Sequence, residues 1–336
     1  MNFPAARGAR LLPVFALLLA SCAGVPPAPT YLNPVLDRDF PDPAVIRDAE
    51  GWFYAFGTQS ESAGRMLNVQ VARSRDLVQW EHLGEALPEK PRWANTKQII
   101  WAPHVIHDPV QHRYVMYFSA EPDASDGKCL AVATSVLPSG PFIDSGDPLI
   151  CGERFEHIDP MAFDDPKTGK RLLYWGSASK PIRVRELTPD RMRFAADSAA
   201  TDLIFADPGR AYSRLVEGAW VTYRAGTYYL FYSGDRCCGA SANYALMVAR
   251  SKDAFGPFEL LGTPVIERSA QWDAPGHNCV ITDDQGTDWI LYHAVRDAPR
   301  RLMLLDRIEY RDGWPRVAGN RPSDTPRQRP AIARDR

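Results

Sequence analysis

The sequence predicts an all-β fold, a five-bladed β-propeller with four-stranded blades. Three observations predict it. Five stretches repeat one another at a spacing near sixty residues, a period that signals stacked or radially arranged units. Each is followed by a turn and a short aromatic run of strand length rather than helix length. No long periodic helix appears after residue 30.

The opening stretches read Asp42-Pro-Ala-Val-Ile-Arg-Asp48, Ala102-Pro-His-Val-Ile-His-Asp108, Asp159-Pro-Met-Ala-Phe-Asp-Asp165, Glu217-Gly-Ala-Trp-Val-Thr-Tyr223 and His277-Asn-Cys-Val-Ile-Thr-Asp283, at spacings of 60, 57, 58 and 60 residues. The aromatic runs are Trp52-Phe-Tyr-Ala-Phe-Gly57, Tyr114-Val-Met-Tyr-Phe-Ser119, Leu172-Leu-Tyr-Trp-Gly176, Tyr228-Tyr-Leu-Phe-Tyr-Ser233 and Trp289-Ile-Leu-Tyr-His293. Turn residues separate the two elements, so each pair reads as a hairpin. Third strands follow at 68–74, 130–135, 182–186, 245–251 and 303–308, then short turns and fourth strands. Four strands in each of five units make a propeller. It spans residues 31–320 without a linker that would divide it. Residues 321–336 form a polar, proline-bearing tail, expected to pack loosely.

A propeller's first strands line its central channel. Residues at one register of the repeat therefore face one axis. Asp42, Asp159, Glu217 and His277 should converge there from distant parts of the chain. One Asp-Pro at a strand start would do no more than cap a turn. Three carboxylates and a histidine at a shared register point to a site.

The composition is ordinary for a globular chain of 336 residues, with 45 % hydrophobic and 24 % charged residues. The 11 % aromatic content, with 9 Trp and 13 Tyr, is rich. A formal net charge of −2 provides no field to recruit nucleic acid or anionic lipid. A neutral substrate fits better than a polyanion.

Residues 1–21 read as a signal peptide: Arg7 and Arg10 precede an apolar stretch at 11–20, too short to span a bilayer. Leu19-Ala20-Ser21-Cys22 looks like the lipobox of bacterial lipoproteins, in which Cys22 would be lipidated after cleavage. Residues 22–30 then form a stiff, proline-rich tether. This places the protein in the bacterial cell envelope, outer membrane or periplasm, touching membrane only through the anchor and otherwise monomeric. Export implies an oxidising compartment. Cys129 and Cys151 lie nearly symmetrically about the Pro138-Ser139-Gly140 turn, which permits a cross-strand bridge. Cys237 and Cys238 are neighbours, and a bridge between them is left open. Cys279 reads as a buried thiol. No Cys/His spacing suggests zinc.

Glycoside hydrolysis needs two carboxyl groups across the scissile bond, one protonating the leaving oxygen and the other activating water or attacking directly. Carboxylates from separate blades can leave room for that water, which would give inversion. The acid needs a raised pKa, and a third carboxylate nearby supplies it.

At this point the chain resembles glycoside hydrolase family 43. The resemblance rests on Asn33-Pro-Val-Leu, Phe40-Pro-Asp-Pro-Ala-Val-Ile46, Trp101-Ala-Pro-His-Val105, Gly140-Pro-Phe142, Ile158-Asp-Pro160, Val216-Glu-Gly218, Pro275-Gly-His277, Tyr292-His-Ala294 and Asp312-Gly-Trp-Pro315, in that order. It covers nearly the whole chain after the tether. It implies a five-bladed, inverting glycosidase. Asp42 would be the general base, Glu217 the general acid, and Asp159 the residue that tunes and orients the acid. Trp101 matches an aromatic of the site wall, with a core tryptophan as the alternative. Arg301 matches an arginine near the pocket. His277 matches the channel histidine, which in arabinan-acting members lies beside a bound cation, often calcium; a histidine without metal is equally compatible. No cofactor is implied for the chemistry. Ala219 stands where proline is common.

The segment Tyr232-Ser-Gly-Asp-Arg-Cys-Cys-Gly239 looks like arabinanases and arabinofuranosidases, so the substrate implied is an arabinose- or xylose-containing polysaccharide with α-L-arabinofuranosyl linkages favoured. A β-xylosidase of the same family and a non-catalytic glycan-binding lipoprotein are the alternatives. Ser177-Ala-Ser-Lys180 and Lys167-Thr-Gly169 match motifs of serine β-lactamases in reversed order, and are read as chance.

Overall fold

The structure, a computed structural model, describes residues 1–2, 29–178, 180–296 and 299–333. The apolar stretch of the signal, Cys22 and most of the tether lie outside the described residues. Among those described, β-strands dominate and two short 3-10 turns, Arg92–Ala94 and Ala318–Asn320, are the helical elements.

Among the described residues, five antiparallel sheets in chain order form the blades of the ring, with three two-stranded ribbons beside them. The first blade is Ala44–Arg47, Phe53–Gly57, Gln70–Ser74 and Trp80–Glu85. The second is Ile100–Asp108, Arg113–Ala120, Lys128–Ser135 and Ile143–Asp144. It carries an extra strand, Ile150–Gly152, that also pairs with Lys128–Ser135. The third is Met161–Asp164, Arg171–Trp175, Ile182–Glu186 and Thr201–Ile204. The fourth is Val216–Arg224, Thr227–Gly234, Ala245–Ser251 and Glu259–Leu260.

The second strand of each blade carries the aromatic run and is buried along almost its whole length. The reason is architectural. Each blade packs face to face between two neighbours, so both faces of its middle strands are covered. Aromatic and branched side chains fill such a pleated interior well. Phe118, Tyr174, Phe231 and Tyr292 are fully buried there. Truncating one to alanine would cost about 3–5 kcal/mol.

The fifth blade departs from four consecutive strands. It has three, Asp273–Thr282, Asp288–Val295 and Arg301–Arg307. The fourth position is taken by the start of the chain: Leu36 bridges Met303, and the Val35 amide donates to the Met303 carbonyl at 3.0 Å. Asn33 reinforces this through both its side-chain donor and acceptor to Leu305, at 3.0 and 2.9 Å. Recruiting the N-terminal segment closes the ring with hydrogen bonds and covers the edge of Arg301–Arg307.

The tail is not loose over its described length. Arg327–Gln328 pairs with Thr30–Tyr31, and the Ala331 amide donates to Asp283 at 3.0 Å. Ser323 and Arg329 find partners on the propeller, at Asp306 and Asp76. Cys129 and Cys151 are bridged across directly paired strands. Cys237 and Cys238 are also bridged. Cys279 is a buried free thiol, which burial pushes up to about 12.

Candidate active site

The repeat register has a backbone signature. Asp42, Ala102, Asp159, Gly218 and His277 all have positive φ, between 46° and 62°. Four of the five are not glycine, a conformation that costs about 1–2 kcal/mol per residue and collects at functional positions. Bulges follow in three blades, between Trp101 and His104, Glu217 and Trp220, and Gly276 and Cys279. A bulge re-aims the side chains beside it. The fourth blade corrects the register read from sequence: its left-handed residue is Gly218, so Glu217 sits one place earlier, level with Trp101 rather than Asp42.

Most of these strained amides are caught by a side chain from the preceding blade. Asp42 N–H donates to His293 Nδ1 at 3.1 Å, Ala102 N–H to Thr58 at 2.8 Å, Asp159 N–H to Ser119 at 3.0 Å and His277 N–H to Ser233 at 2.8 Å. The fourth blade differs. Gly218 N–H donates instead to Asp159 Oδ2 at 3.0 Å. That frees Ser177, which donates to Glu217 Oε2. A Cβ on Gly218 would meet His277 Nδ1 at 3.3 Å, so glycine serves both the φ and the close approach.

These residues open into one cavity of about 390 Å³. Asp42, Trp101, Asp159, Glu217, His277 and Arg301 all line it. A larger depression of about 840 Å³, bounded by Asp147, Arg185, Asp190 and Phe194, lies away from this carboxylate cluster. Chemistry, not volume, decides between them.

Each carboxylate has a distinct environment. Asp42 accepts from Thr58 at 2.5 Å and from Arg301 Nη1 at 3.4 Å, with His277 Nδ1 at 3.5 Å. Burial alone would raise it, but Arg301 and His277 outweigh burial and hold it well below the ordinary range. Burial takes His277 itself down to about 4, so at neutral pH Arg301 is the permanent cation beside Asp42. Burial raises Asp159 well above the usual range, reinforced by the charges of Glu217 and Asp42. Burial also raises Glu217, against hydroxyl donors from Ser177 and Tyr244, the latter at 2.7 Å.

With both raised, Asp159 and Glu217 favour holding one proton between them over carrying two charges. A backbone N–H can only donate, so Gly218 favours the ionised form of Asp159. Hydroxyls can turn and accept, so Ser177 and Tyr244 tolerate a protonated Glu217. We place the proton on Glu217. Tyr244 reaches it because residue 276 is glycine: a Cβ there would stand 1.8 Å from the Tyr244 ring.

Trp101 is half-buried and stacks on Phe155, with ring centroids 6.2 Å apart and 14° between planes. Lys128 lies over both rings. Sequence reasoning missed Thr58, Phe155, Ser177, Leu215 and Tyr244 as parts of this pocket. A signal existed for two of them: a Ser or Thr recurs at the end of the second strand, at Thr58, Ser119, Ser177 and Ser233. Ser177, first met inside a chance motif, belongs to the site. Nothing of the kind marks Phe155, which reaches the wall from a loop.

Among the described residues, no three of His, Cys, Asp and Glu group as metal ligands. His277 faces two carboxylates of the reaction site rather than a cage of oxygens. That set does not fit a calcium ion held directly by protein.

A five-bladed propeller whose cavity gathers buried carboxylates of opposed ionisation defines a glycoside hydrolase. The family model for glycosyl hydrolases family 43 matches residues 31–315, and the chain belongs to that family. It is similar to an extracellular exo-α-(1→5)-L-arabinofuranosidase of Cellvibrio japonicus, 25 % identical over 83 % of this chain and 86 % of the relative. It is similar also to an extracellular endo-α-(1→5)-L-arabinanase of Bacillus subtilis, 27 % identical over 82 % and 86 %, and to a β-D-galactofuranosidase of Aspergillus niger, 28 % identical over 82 % of each. Among solved structures, a thermostable family-43 glycoside hydrolase superposes with a TM-score of 0.75 at 25 % identity, covering 90 % of this chain and all of that one. An α-L-arabinanase of Cellvibrio cellulosa with arabinohexaose shares the fold at a TM-score of 0.69 and 22 % identity, covering 83 % and 95 %.

Proposed function

We propose that this glycosidase cleaves α-L-arabinofuranosyl linkages of plant-type polysaccharide, arabinan or arabinoxylan side chains, with inversion at the anomeric carbon. One observation carries the reaction. Asp42 is held ionised by Arg301 and Thr58, while Glu217, in the same pocket, is pushed toward its protonated form. In one step, Asp42 takes a proton from water, the water oxygen bonds to the anomeric carbon, the glycosidic C–O bond breaks, and Glu217 protonates the departing oxygen. Asp159 stays ionised beside Glu217 and orients it. Trp101 and Phe155 offer the sugar an aromatic wall.

The choice of arabinofuranosyl over xylosyl linkages leans on the two arabinan-acting relatives. Turnover of linear 1,5-arabinan, aryl α-L-arabinofuranoside, aryl β-D-xyloside and aryl β-D-galactofuranoside, with product sizing, tests it. Preference for the xyloside would replace the substrate but keep the mechanism. Binding without turnover on all four would make the protein a glycan-binding module.

No step needs a cofactor. A calcium ion near His277 would rest mainly on water, and activity after EDTA treatment tests for one. A lipid on Cys22 and residence in the cell envelope as a monomer complete the proposal, supported by the signal-like residues 1–21. Mass spectrometry of the exported N-terminal peptide tests the lipid.

A further inference from the structure

We propose that the bridged pair Cys237–Cys238 is a sugar-contacting wall of the active-site pocket and sets how tightly substrate is held, an inference that rests on the glycosidase reading of the same pocket. Both cysteines line the cavity together with Glu217, Tyr244 and Leu215. They are adjacent in sequence and bonded to one another. A disulfide has no strong donor or acceptor to hydrate, so its sulfurs present a soft, polarisable surface to the C–H face of a sugar. The blade-two side of the pocket has Trp101 and Phe155 for that purpose. On the blade-four side the sulfurs supply the matching surface.

The loop that carries the pair is built to hold it still. Asn243 clamps it at both ends: its Oδ1 accepts from Arg236 N–H at 3.2 Å and its Nδ2 donates to Asp235 at 2.9 Å. Its own amide donates to the Arg236 carbonyl at 3.0 Å. Asp235 in turn accepts from Arg214 N–H at 2.9 Å, and Arg236 donates to Ser241 at 2.7 Å. The next residue after the clamp is Tyr244, which holds Glu217. The bridge adds a covalent constraint to a loop already pinned beside Glu217. Less ordering entropy is lost when substrate binds.

Reduction opens this wall. A dithiol reductant delivers two electrons and two protons, the S–S bond becomes two thiols, and the reductant closes to its own disulfide. The loop keeps its Asn243 clamp and loses its rigid sulfur face. Substrate binding weakens, while the Glu217 contacts with Ser177 and Tyr244 persist.

The test uses the full propeller, an aryl α-L-arabinofuranoside and arabino-oligosaccharides. The Cys237→Ser/Cys238→Ser variant should show KM raised about tenfold with kcat within about threefold, the pattern of lost binding that is uniform between ground and transition state. Dithiothreitol should move the wild type to the same values and leave the double variant unmoved, which separates this bridge from Cys129–Cys151. Alkylation without reductant followed by mass analysis should leave both cysteines unlabelled. An unchanged KM in a folded double variant, an equal response of variant and wild type to reductant, or labelling of both thiols in the untreated protein overturns the inference. Wild-type protein inactive on every sugar tested overturns the glycosidase reading instead.

Discussion

Asp159 Oδ2 accepts the amide hydrogen of Gly218 at 3.0 Å, one residue beyond Glu217. That bond ties Asp159, the proposed tuning carboxylate, to the backbone that carries Glu217, the proposed acid. It also favours the ionised form of Asp159, because an amide N–H can only donate. Arrangements of this kind trade stability for reactivity.

The trade is measurable. Burial raises the folded-state pKa of both Asp159 and Glu217 above their unfolded values, reinforced at Asp159 by the charges of Glu217 and Asp42 and at Glu217 by that of Asp42. A raised group favours the folded state at low pH and loses that contribution as pH rises from the unfolded value through the folded one. At neutral pH the pair is therefore destabilising. Asp159→Asn keeps the oxygen that accepts from Gly218 and removes a charge. It should raise the melting temperature by about 2 °C at pH 7 and give no gain near pH 3, while activity falls. A lower melting temperature at pH 7 would contradict the account.

Arg301 acts on the other limb. With His277 neutral, Arg301→Gln leaves Asp42 without its permanent cation, so burial lifts the carboxyl. The acidic limb of the kcat/KM profile should move to higher pH by about 1–3 units. A limb that stays in place would show that Asp42 is not the group titrating there.

Tyr244 predicts a shift at the basic limb. Its hydroxyl donates to Glu217, which favours the charged carboxylate. Tyr244→Phe should raise the Glu217 pKa and carry the basic limb upward. Movement downward would mean that Tyr244 accepts from a protonated Glu217.

The role of Glu217 shows in its dependence on leaving group. Glu217→Ala should cut hydrolysis of arabino-oligosaccharides by roughly 10²–10⁴-fold, yet spare activated aryl glycosides, whose leaving groups depart without protonation. Equal losses on both would remove the acid assignment.

Blade number and the convergence of Asp42, Asp159, Glu217 and His277 were legible because both follow from a local repeat. Aromatic runs mark strands buried on two faces, and a shared register points side chains at one axis. The one-residue offset of Glu217 was not legible, since it depends on which residue turns left-handed, and Glu217-Gly218 aligns with Asp42-Pro43 by eye. Phe155, Leu215 and Tyr244 come from loops or loop ends whose path is set by strands far away in sequence. The closing pairing of Leu36 with Met303 joins the two ends of the propeller, so no local pattern announces it. Arg301 was legible as a pocket residue through the resemblance alone; its approach to Asp42 needed the folded ring.

The central claim is that Asp42 activates water while Glu217 protonates the leaving group in a single displacement. Proton NMR of an aryl α-L-arabinofuranoside during the first turnovers, before mutarotation, tests it most directly. The account predicts that β-L-arabinofuranose appears first. Initial release of the α-anomer would show retention and make an enzyme carboxylate the nucleophile, contradicting the account.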